Sequence, residues 1–568
     1  MDIQEIKTTP IWQLFEKGRN YHRLVGMYTD TDRNYRMYNG DQWAGAKLGD
    51  VEPVQKNFIK PIVKYKVAII HDNLFAVNYS SQNFTDRVFA KESKRYCDML
   101  NRYIHQSWEQ DKMDFKGRRV TKDAAINGEG IFYVDFDREK MMPIHEIIKK
   151  VDIYYGNEND DDIQSQPYII MRKRMPVTNA VEFAEAHGIS GEELKNIIGD
   201  NDNFEESGED AKLELDDMVT LVYKMYKKNG TVHFSIATKF VTIAEDLDIG
   251  ISLYPIAHCN WEEKEGSARG EGEVRYLIPN QIEVNRTEMR RVLTVMYQAY
   301  PHKVVDVSRV ANPSALNTVG GVIKTQGNTV DDVHKIVGTL PPAQMSPDVV
   351  KLQEDLINVT RELAGAGDVA TGQVNPEAAS GRAILAVQQA SQAPVTEQKE
   401  NHKNLLEDVA RIDLEYLIAY SVDGINLERV ETDENGEEFV VVEKVPQSAL
   451  KALQATVKID ITPKSPFDKF AREQTLENLL INGWFNPQLI GQLEAYAKAL
   501  PDDSVAPKQE ILEIIEGIKE EQRKIALIEA QAQMMQQRAQ QFIMSDADGQ
   551  AQQIANAQRQ LQAEQPVT

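Results

Sequence analysis

Apolar positions recur every three or four residues along most of this chain, and the alternation of a strand takes over mainly in one central stretch. From Ile11 to Met37 the pattern is helical and aromatic-rich, closing at Asn39-Gly40. Asn57 to Asn73 reads as an apolar helix punctuated by lysines, with Pro61 in its first turn. Asp86 to Asp111 is a third helix, with Val88, Tyr96, Met99 and Tyr103 roughly on one face. Then the period changes. Gly130 to Phe136, Tyr168 to Arg174 and Met218 to Tyr226 read as strands, and Asn229-Gly230 is a strong hairpin turn leading on to Phe234. Helical patterns at Thr178–His187 and Ser190–Ile198 interrupt them. The first half is therefore a mixed α+β region.

Gly266 to Gly272 (GSARGEG) breaks the pattern, and Pro279 to Tyr300 follows as a helix about 30 Å long. Its apolar face is Ile282, Met289, Val292, Leu293 and Met296. The valine-, asparagine- and glycine-rich stretch 301–346 reads as a small module containing strands. A second helix starts at Ser346-Pro347-Asp348, which supply a cap, a first-turn proline and an acid matched to the helix dipole. Gly365 and Gly367 stop it, because glycine accepts the left-handed conformation of a helix end. The loop Asp368–Ser380 comes next, then a long helix opened by Asn375-Pro376-Glu377, in which Pro394 removes a hydrogen bond and predicts a bend. Two rigid rods thus hold one short loop at a fixed place.

A hairpin around Asn435-Gly436 spans Asn426–Val445, and Thr456–Thr462 (TVKIDIT) predicts a strand rejoining the first domain's sheet. The remainder is helical. Ser465-Pro466 opens one helix that ends at Gly483, Asn486-Pro487 a second, and Pro507 a third running to Met544, about 55 Å if unbroken. Along the third, Ile511, Ile515, Ile518, Ile525 and Ile528 form a seam for neighbouring helices. Beyond Ser545 the chain is rich in Gln and Ala.

Charge narrows the function classes. The 568 residues carry a net charge of -24, so the chain as a whole is not a basic nucleic-acid binder that works by releasing counterions. Two distant cysteines, Cys97 and Cys259, exclude a disulfide framework and a cysteine-rich zinc site, and fit a reducing compartment. No secretory leader is recognisable, and no apolar run reaches the roughly 18 residues of a membrane span. Catalytic signatures are missing. There is no phosphate loop and no serine elbow, and His145-Glu146 lacks the second histidine of a zinc helix. Gly270 and Gly272 lack the third glycine of a dinucleotide site and read as a hinge. The acidic runs Asn157–Asp162 and Asp200–Asp210 miss the calcium-loop spacing and read as solvated loops. No catalytic residue, cofactor or metal ligand is expected. Trp43, Trp261 and Trp484 read as core residues.

The order of parts resembles the portal protein of tailed bacteriophages, the head-to-tail connector. The likeness runs through Tyr38-Asn39-Gly40 with Gln42 and Trp43, the helix led by Asn57-Phe58-Ile59, the stretch Gly270 to Tyr300, and Thr371-Gly372 followed by Ala379-Ser380-Gly381-Arg382-Ala383. It implies a helix-rich α+β fold. Residues 1–265 would form N-terminal helices and a wing, 266–300 and 347–366 two stem helices, 301–346 a clip and 367–381 a channel loop. Residues 382–464 would form a kinked helix returning to the wing, 465–545 a helical crown, and 546–568 a tail. It also implies a ring of usually twelve subunits at one capsid vertex, assembled in the host bacterial cytoplasm, through which double-stranded DNA is packaged and ejected.

On the same resemblance, Asp368, Thr371, Gln373, Asn375, Glu377, Ser380 and Arg382 would face the passing DNA, weakly and without sequence preference. Lys303, Arg309, Lys324 and Lys335 of the clip would dock the terminase large subunit and later the head-completion and adaptor proteins. Gly270, Gly272, Gly365, Gly367 and Pro394 would supply hinges and a kink. Major capsid and scaffolding proteins would be further partners, and a membrane would not be one. The alternative class is a non-enzymatic adaptor that uses its C-terminal seam as a coiled coil.

Overall fold

The computed structural model describes residues 8–47, 52–81, 87–200, 217–318, 320–326, 336–341, 344–367, 393–432, 438–453 and 455–463, and beyond these a short helix and scattered helical positions. The chain divides after Thr462 into two compact units.

The first unit opens with α1 (Pro10–Leu24), capped by the Thr9 hydroxyl, which accepts from the Trp12 amide, and α2 (Met27–Asn39). The helical stretch predicted as one is two, because Gly26 turns left-handed at φ 73° between them. Helix α3 (Ile59–Ile70) ends earlier than the pattern suggested, and the chain runs on into an unforeseen strand, β1 (Asn73–Ser81). Then come α4 (Arg87–Gln110) and α5 (Met113–Asn127). Helix α5 was not foreseen, since Gly117 sits in its middle and its buried positions include Thr121 and Asn127.

Strands β2 (Glu129–Asp137) and β3 (Met142–Ile148) pair antiparallel. Next come β4 (Ile153–Tyr155), β5 (Ile169–Pro176), helix α6 (Val177–Ala186), β6 (Met218–Lys228), β7 (Thr231–Ala237), β8 (Thr242–Asp248) and β9 (Ile256–Asn260). They make an antiparallel three-stranded sheet, β3-β2-β9, and an antiparallel five-stranded sheet, β4-β5-β6-β7-β8. Asn229 and Gly230 both take positive φ, 55° and 91°, as a tight hairpin requires. The five-stranded sheet is buried on both faces. Ile170 and Val222 point to Trp12 and Phe15 of α1, while their neighbours Ile169, Met171, Leu221 and Tyr223 join the main core. The helix predicted at Ser190–Ile198 is a turn and a short 3-10 segment, because Gly191 is left-handed immediately after Ser190.

Helix α7 (Glu273–Ala299) starts six residues before Pro279, so that proline lies inside the helix and exposed, not at its first turn. Strands β10 (Lys303–Val305) and β11 (Val337–Thr339) pair antiparallel and close the small module, which also holds a 3-10 turn at Pro313–Asn317. Helix α8 (Pro347–Leu363) begins at Ser346, whose hydroxyl accepts from the Asp348 amide. Helix α9 (Thr396–Tyr420) packs on the three-stranded sheet and puts Leu405, Leu406, Val409 and Leu417 into the main core.

The hairpin β12 (Ile425–Thr432) and β13 (Glu438–Val445) and a short helix α10 (Gln447–Ala452) precede β14 (Ala455–Pro463). Strand β14 does not join either large sheet. It pairs with β1 alone, because β1 offers a free edge beside α4 and α9. In the second unit the described helix is α11 (Ile490–Ala499), and Leu476, Ala497 and Ile515 are buried there. Most of the seam expected after Pro507, most of the tail past Ser545, and Trp484 lie outside the described residues.

Candidate functional site

The two rods and what holds them form the candidate site, and its foundation is a buried charge cluster. Arg269, in the glycine-rich stretch before α7, is almost fully buried. Its guanidinium donates to both carboxylate oxygens of Glu158 (2.8 and 2.9 Å), to Glu129 (3.0 Å), to the Ile153 carbonyl (2.9 Å) and to Nε2 of His22 (3.1 Å). The same group lies 4.3 Å from the centre of the Tyr155 ring. Lys150 adds an ion pair to Glu129 (2.9 Å) and donates to the carbonyls of Asn127 and Gly270. Burial raises the Glu158 carboxyl, but Arg269 outweighs it and brings it down to about 2. Burial pushes His22 down to about 4, so at neutral pH it is an uncharged acceptor for Arg269.

The glycines beside Arg269 are there for space. A side chain on Gly270 would meet the Gly128 carbonyl at 2.5 Å, and one on Gly272 would meet the Ile126 carbonyl at 2.7 Å. Neither residue takes a positive φ. The backbone leading into α7 is thus pressed against the end of α5 and pinned by Arg269, a joint fixed by close approach and not by conformational freedom.

Past this joint, α7 is clasped by amides. Gln281, fully buried, accepts from the Phe58 amide (3.0 Å) and donates to the Lys56 carbonyl (2.7 Å) and to Asn285 (3.0 Å). Asn285 in turn accepts from the Lys56 amide and donates to Gln42. Lys66 and the Trp261 indole both reach Glu273 in the helix's first turn. Every polar group in this clasp has a partner, as burial demands. Helix α8 runs antiparallel beside α7: Asn280 donates to Thr360 (2.9 Å), and seven residues back along α8 Gln353 donates to Glu288 (2.8 Å).

The far half of α7 and one face of α8 are different. After Met289, α7 buries no side chain, and Val295, Met296, Tyr297 and Tyr300 are exposed. On α8 the buried residues are the polar Gln353 and Thr360, while Leu352, Val359 and Leu363 stand exposed at seven- and four-residue steps. Those steps place them on one face. Val304, Val307, Val322, Ile323 and Leu340 of the small module are exposed as well.

Gly365 ends α8 at φ 69°, and a side chain there would lie 2.8 Å from the Pro394 ring. Pro394 stands in the 3-10 turn Ala393–Val395 directly ahead of α9, and the stretch before it, through which the bent helix was expected to run, lies outside the described residues. The chain therefore leaves the end of α8 and returns to α9 at a single point, with Ala364 and Ala366 buried beside it. Asp368, Thr371, Gln373, Asn375, Glu377, Ser380 and Arg382 lie outside the described residues, as does Lys335. Of the other module cations, Lys303 donates to the Leu316 carbonyl (2.6 Å), Arg309 lies 3.7 Å from Asp306, and the Lys324 side chain is exposed. Gly367 continues the chain past Gly365 without a positive φ.

Among the described residues no group of three or more His, Cys, Asp or Glu side chains is placed to hold a metal ion, and no helix is long and apolar enough to cross a membrane. Trp261 is buried, and Trp43 is half-buried with its indole donating to the Val54 carbonyl.

The family description "Phage P22-like portal protein" matches residues 23–566. The chain belongs to that family. Membership brings a phage portal role in capsid assembly and genome packaging, and a structural rather than catalytic one. It also brings self-association, contact with capsid and packaging proteins, and a place at the capsid vertex of the virion. No curated protein matches the chain. Within the portal fold, the Arg269 cluster and the Gln281–Asn285 clasp were not foreseen from sequence, since their partners lie more than a hundred residues away. The one local hint was an arginine set among glycines in GSARGEG.

Proposed function

We propose that copies of this chain close into a ring, of twelve subunits, that serves as the channel for genome packaging and ejection. In each copy α7 and α8 stand along the channel wall, and the segment 368–380 projects from the point where Gly365 meets Pro394 toward the passing DNA. The small module faces outward and docks the terminase large subunit during packaging and head-completion and adaptor proteins afterwards. Lys324 and Arg309 are better placed for that docking than Lys303, whose ammonium is engaged inside the module. The ring performs no catalysis, needs no cofactor and assembles in the host cytoplasm before it is built into the virion.

The observation that carries this reading is the bare stripe Leu352–Val359–Leu363 along α8, together with the bare outer half of α7. A contiguous apolar face on a soluble chain marks a contact surface, and identical neighbours around a closed axis cover such a face in every copy at once. Native mass spectrometry with axial images of the purified particle tests it. The expected result is a closed annulus of identical copies. A discrete dimer or trimer would favour the coiled-coil adaptor instead.

A further inference from the structure

Helices α3 and α5 pack antiparallel. At one end His71, just past α3, shares a hydrogen bond with Thr121 (2.9 Å) and abuts Gly117. Lys60, at the start of α3, and Lys122, next to Thr121 on α5, stand 5.7 and 5.9 Å from the centre of one ring, that of Tyr38. From there Lys64 lies one turn along α3, and Arg118 and Arg119 one turn back along α5, all three exposed. The two helices thus present five cations in two adjoining rows. Among the described residues none of the five forms an ion pair with a carboxylate, although Asp123 lies close enough to Lys122 and Arg119 to act on both.

Several buried and half-buried cations of the first unit are paired instead. There Arg172 pairs with Asp152, Arg174 with Asp200, Lys66 with Glu273, Lys116 with Asp111, and Lys150 and Arg269 with Glu129. The whole chain has 88 acidic residues for 64 basic ones. Of the acids on α5, Asp123 accepts from the Tyr35 hydroxyl (2.9 Å) and offsets part of the charge of Lys122 and Arg119, and Asp114 lies one turn before Arg118.

We propose that this α3/α5 face is a contact site for the phosphate backbone of duplex DNA, separate from the loop at 368–380. The proposal rests on reading the chain as a genome conduit. Side chains four residues apart on a helix lie about 6 Å from one another, so two such rows offer an array to successive phosphates. A polyanion rewards free cations by releasing its condensed counterions and asks for no shape-matched acid. A protein partner would call for a buried apolar centre, and Phe115, overlaid by Arg119, is the large exposed apolar residue at this face. The patch reads phosphate, and sequence preference is absent.

The test uses the full-length assembled protein and a short fluorescent duplex of mixed sequence, with anisotropy followed across a salt series. The variant combines Lys64→Gln, Arg118→Gln, Arg119→Gln and Lys122→Gln, and native mass spectrometry checks its assembly separately. Loss of binding by tenfold or more at low salt is expected, with a salt slope shallower by about 3 to 4, near 0.9 for each phosphate contact removed. Arg118→Glu alone, at an exposed position, should lower the slope by about 1 or more. Unchanged affinity and slope in both variants would overturn the site. So would displacement of the duplex by polyglutamate at equal charge, which would point to an acidic protein surface. Binding lost in the variant while the wild-type protein forms no ring would uphold the site and remove the conduit reading.

Discussion

Between Glu273 and Met289, helix α7 buries eight side chains; between Arg290 and Ala299 it buries none. The inner stretch hides glutamate, glutamine and asparagine, and the outer one exposes valine, methionine and tyrosine. Each half carries exceptions to the usual rule, for opposite reasons. Inside, Gln281, Asn285 and Glu273 are tolerated because every one has its hydrogen bonds made by the same chain. Outside, the apolar residues have no cover from the same chain, and on the portal reading neighbouring copies supply it. The root of the rod is thus specified within one subunit and its tip between subunits.

The sharpest way to break this contrast is to damage the root. Arg269→Ala leaves Glu129 and Glu158 buried without their shared cation, and the subunit should lose on the order of 3–5 kcal/mol in urea unfolding. A loss below 1 kcal/mol would mean that the cluster does not anchor α7.

A second staple of the first unit responds to pH. His145 is buried between Asp111 (2.7 Å) and Asp413 of α9 (3.0 Å), with Lys116 also on Asp111 and the Trp108 indole on Asp413. Burial alone would lower its pKa, but the two carboxylates win and hold it at about 9. Its folded pKa thus exceeds the unfolded value of 6.5, so the stabilisation is complete below pH 6.5 and is lost as pH rises through 9. Its size is on the order of 3 kcal/mol. Thermal melts of wild type and His145→Gln should converge toward pH 9 and above; a constant gap across that window would contradict a charged staple.

At the join of α8 and α9, Gly365→Ala should cost about 1–3 kcal/mol, from its left-handed φ and the nearby Pro394 ring. Gly367→Ala, with no positive φ and only ordinary contacts, should cost less than about 0.5 kcal/mol. Equal losses in calorimetry would show that the join is not a tight contact.

The smallest effect on folding belongs to the α8 stripe. Leu352→Ser with Val359→Ser should shift subunit unfolding by no more than about 0.5 kcal/mol per site yet reduce the ring fraction severalfold in native mass spectra. A subunit destabilised as strongly as by Arg269→Ala would place the stripe in an intrachain core.

What the sequence disclosed follows the same division. Features set by adjacent residues were legible: the Asn229-Gly230 hairpin, the Ser346-Pro347-Asp348 start of α8, the Gly365 stop, and the strands around Phe132, Ile170 and Val222. Features set by distant residues were not. Helix α5 carries a glycine where the rings of His71 and His402 pack, which hides its period. Strand β14 finds β1 across nearly the whole first unit, and Arg269 finds Glu129 and Glu158 by tertiary folding alone. Pro279 misled because an exposed turn of α7 tolerates its missing amide hydrogen.

The portal account stands most directly on whether the outer half of α7 and the α8 stripe are covered by other copies. Oxidative footprinting of Met296, Tyr297 and Tyr300, and of Leu352 and Val359, should be compared between the assembled particle and subunits dissociated without unfolding. Severalfold protection of the α8 stripe and of at least part of the α7 tip on assembly is the expected result. Equal labelling in both states would contradict it.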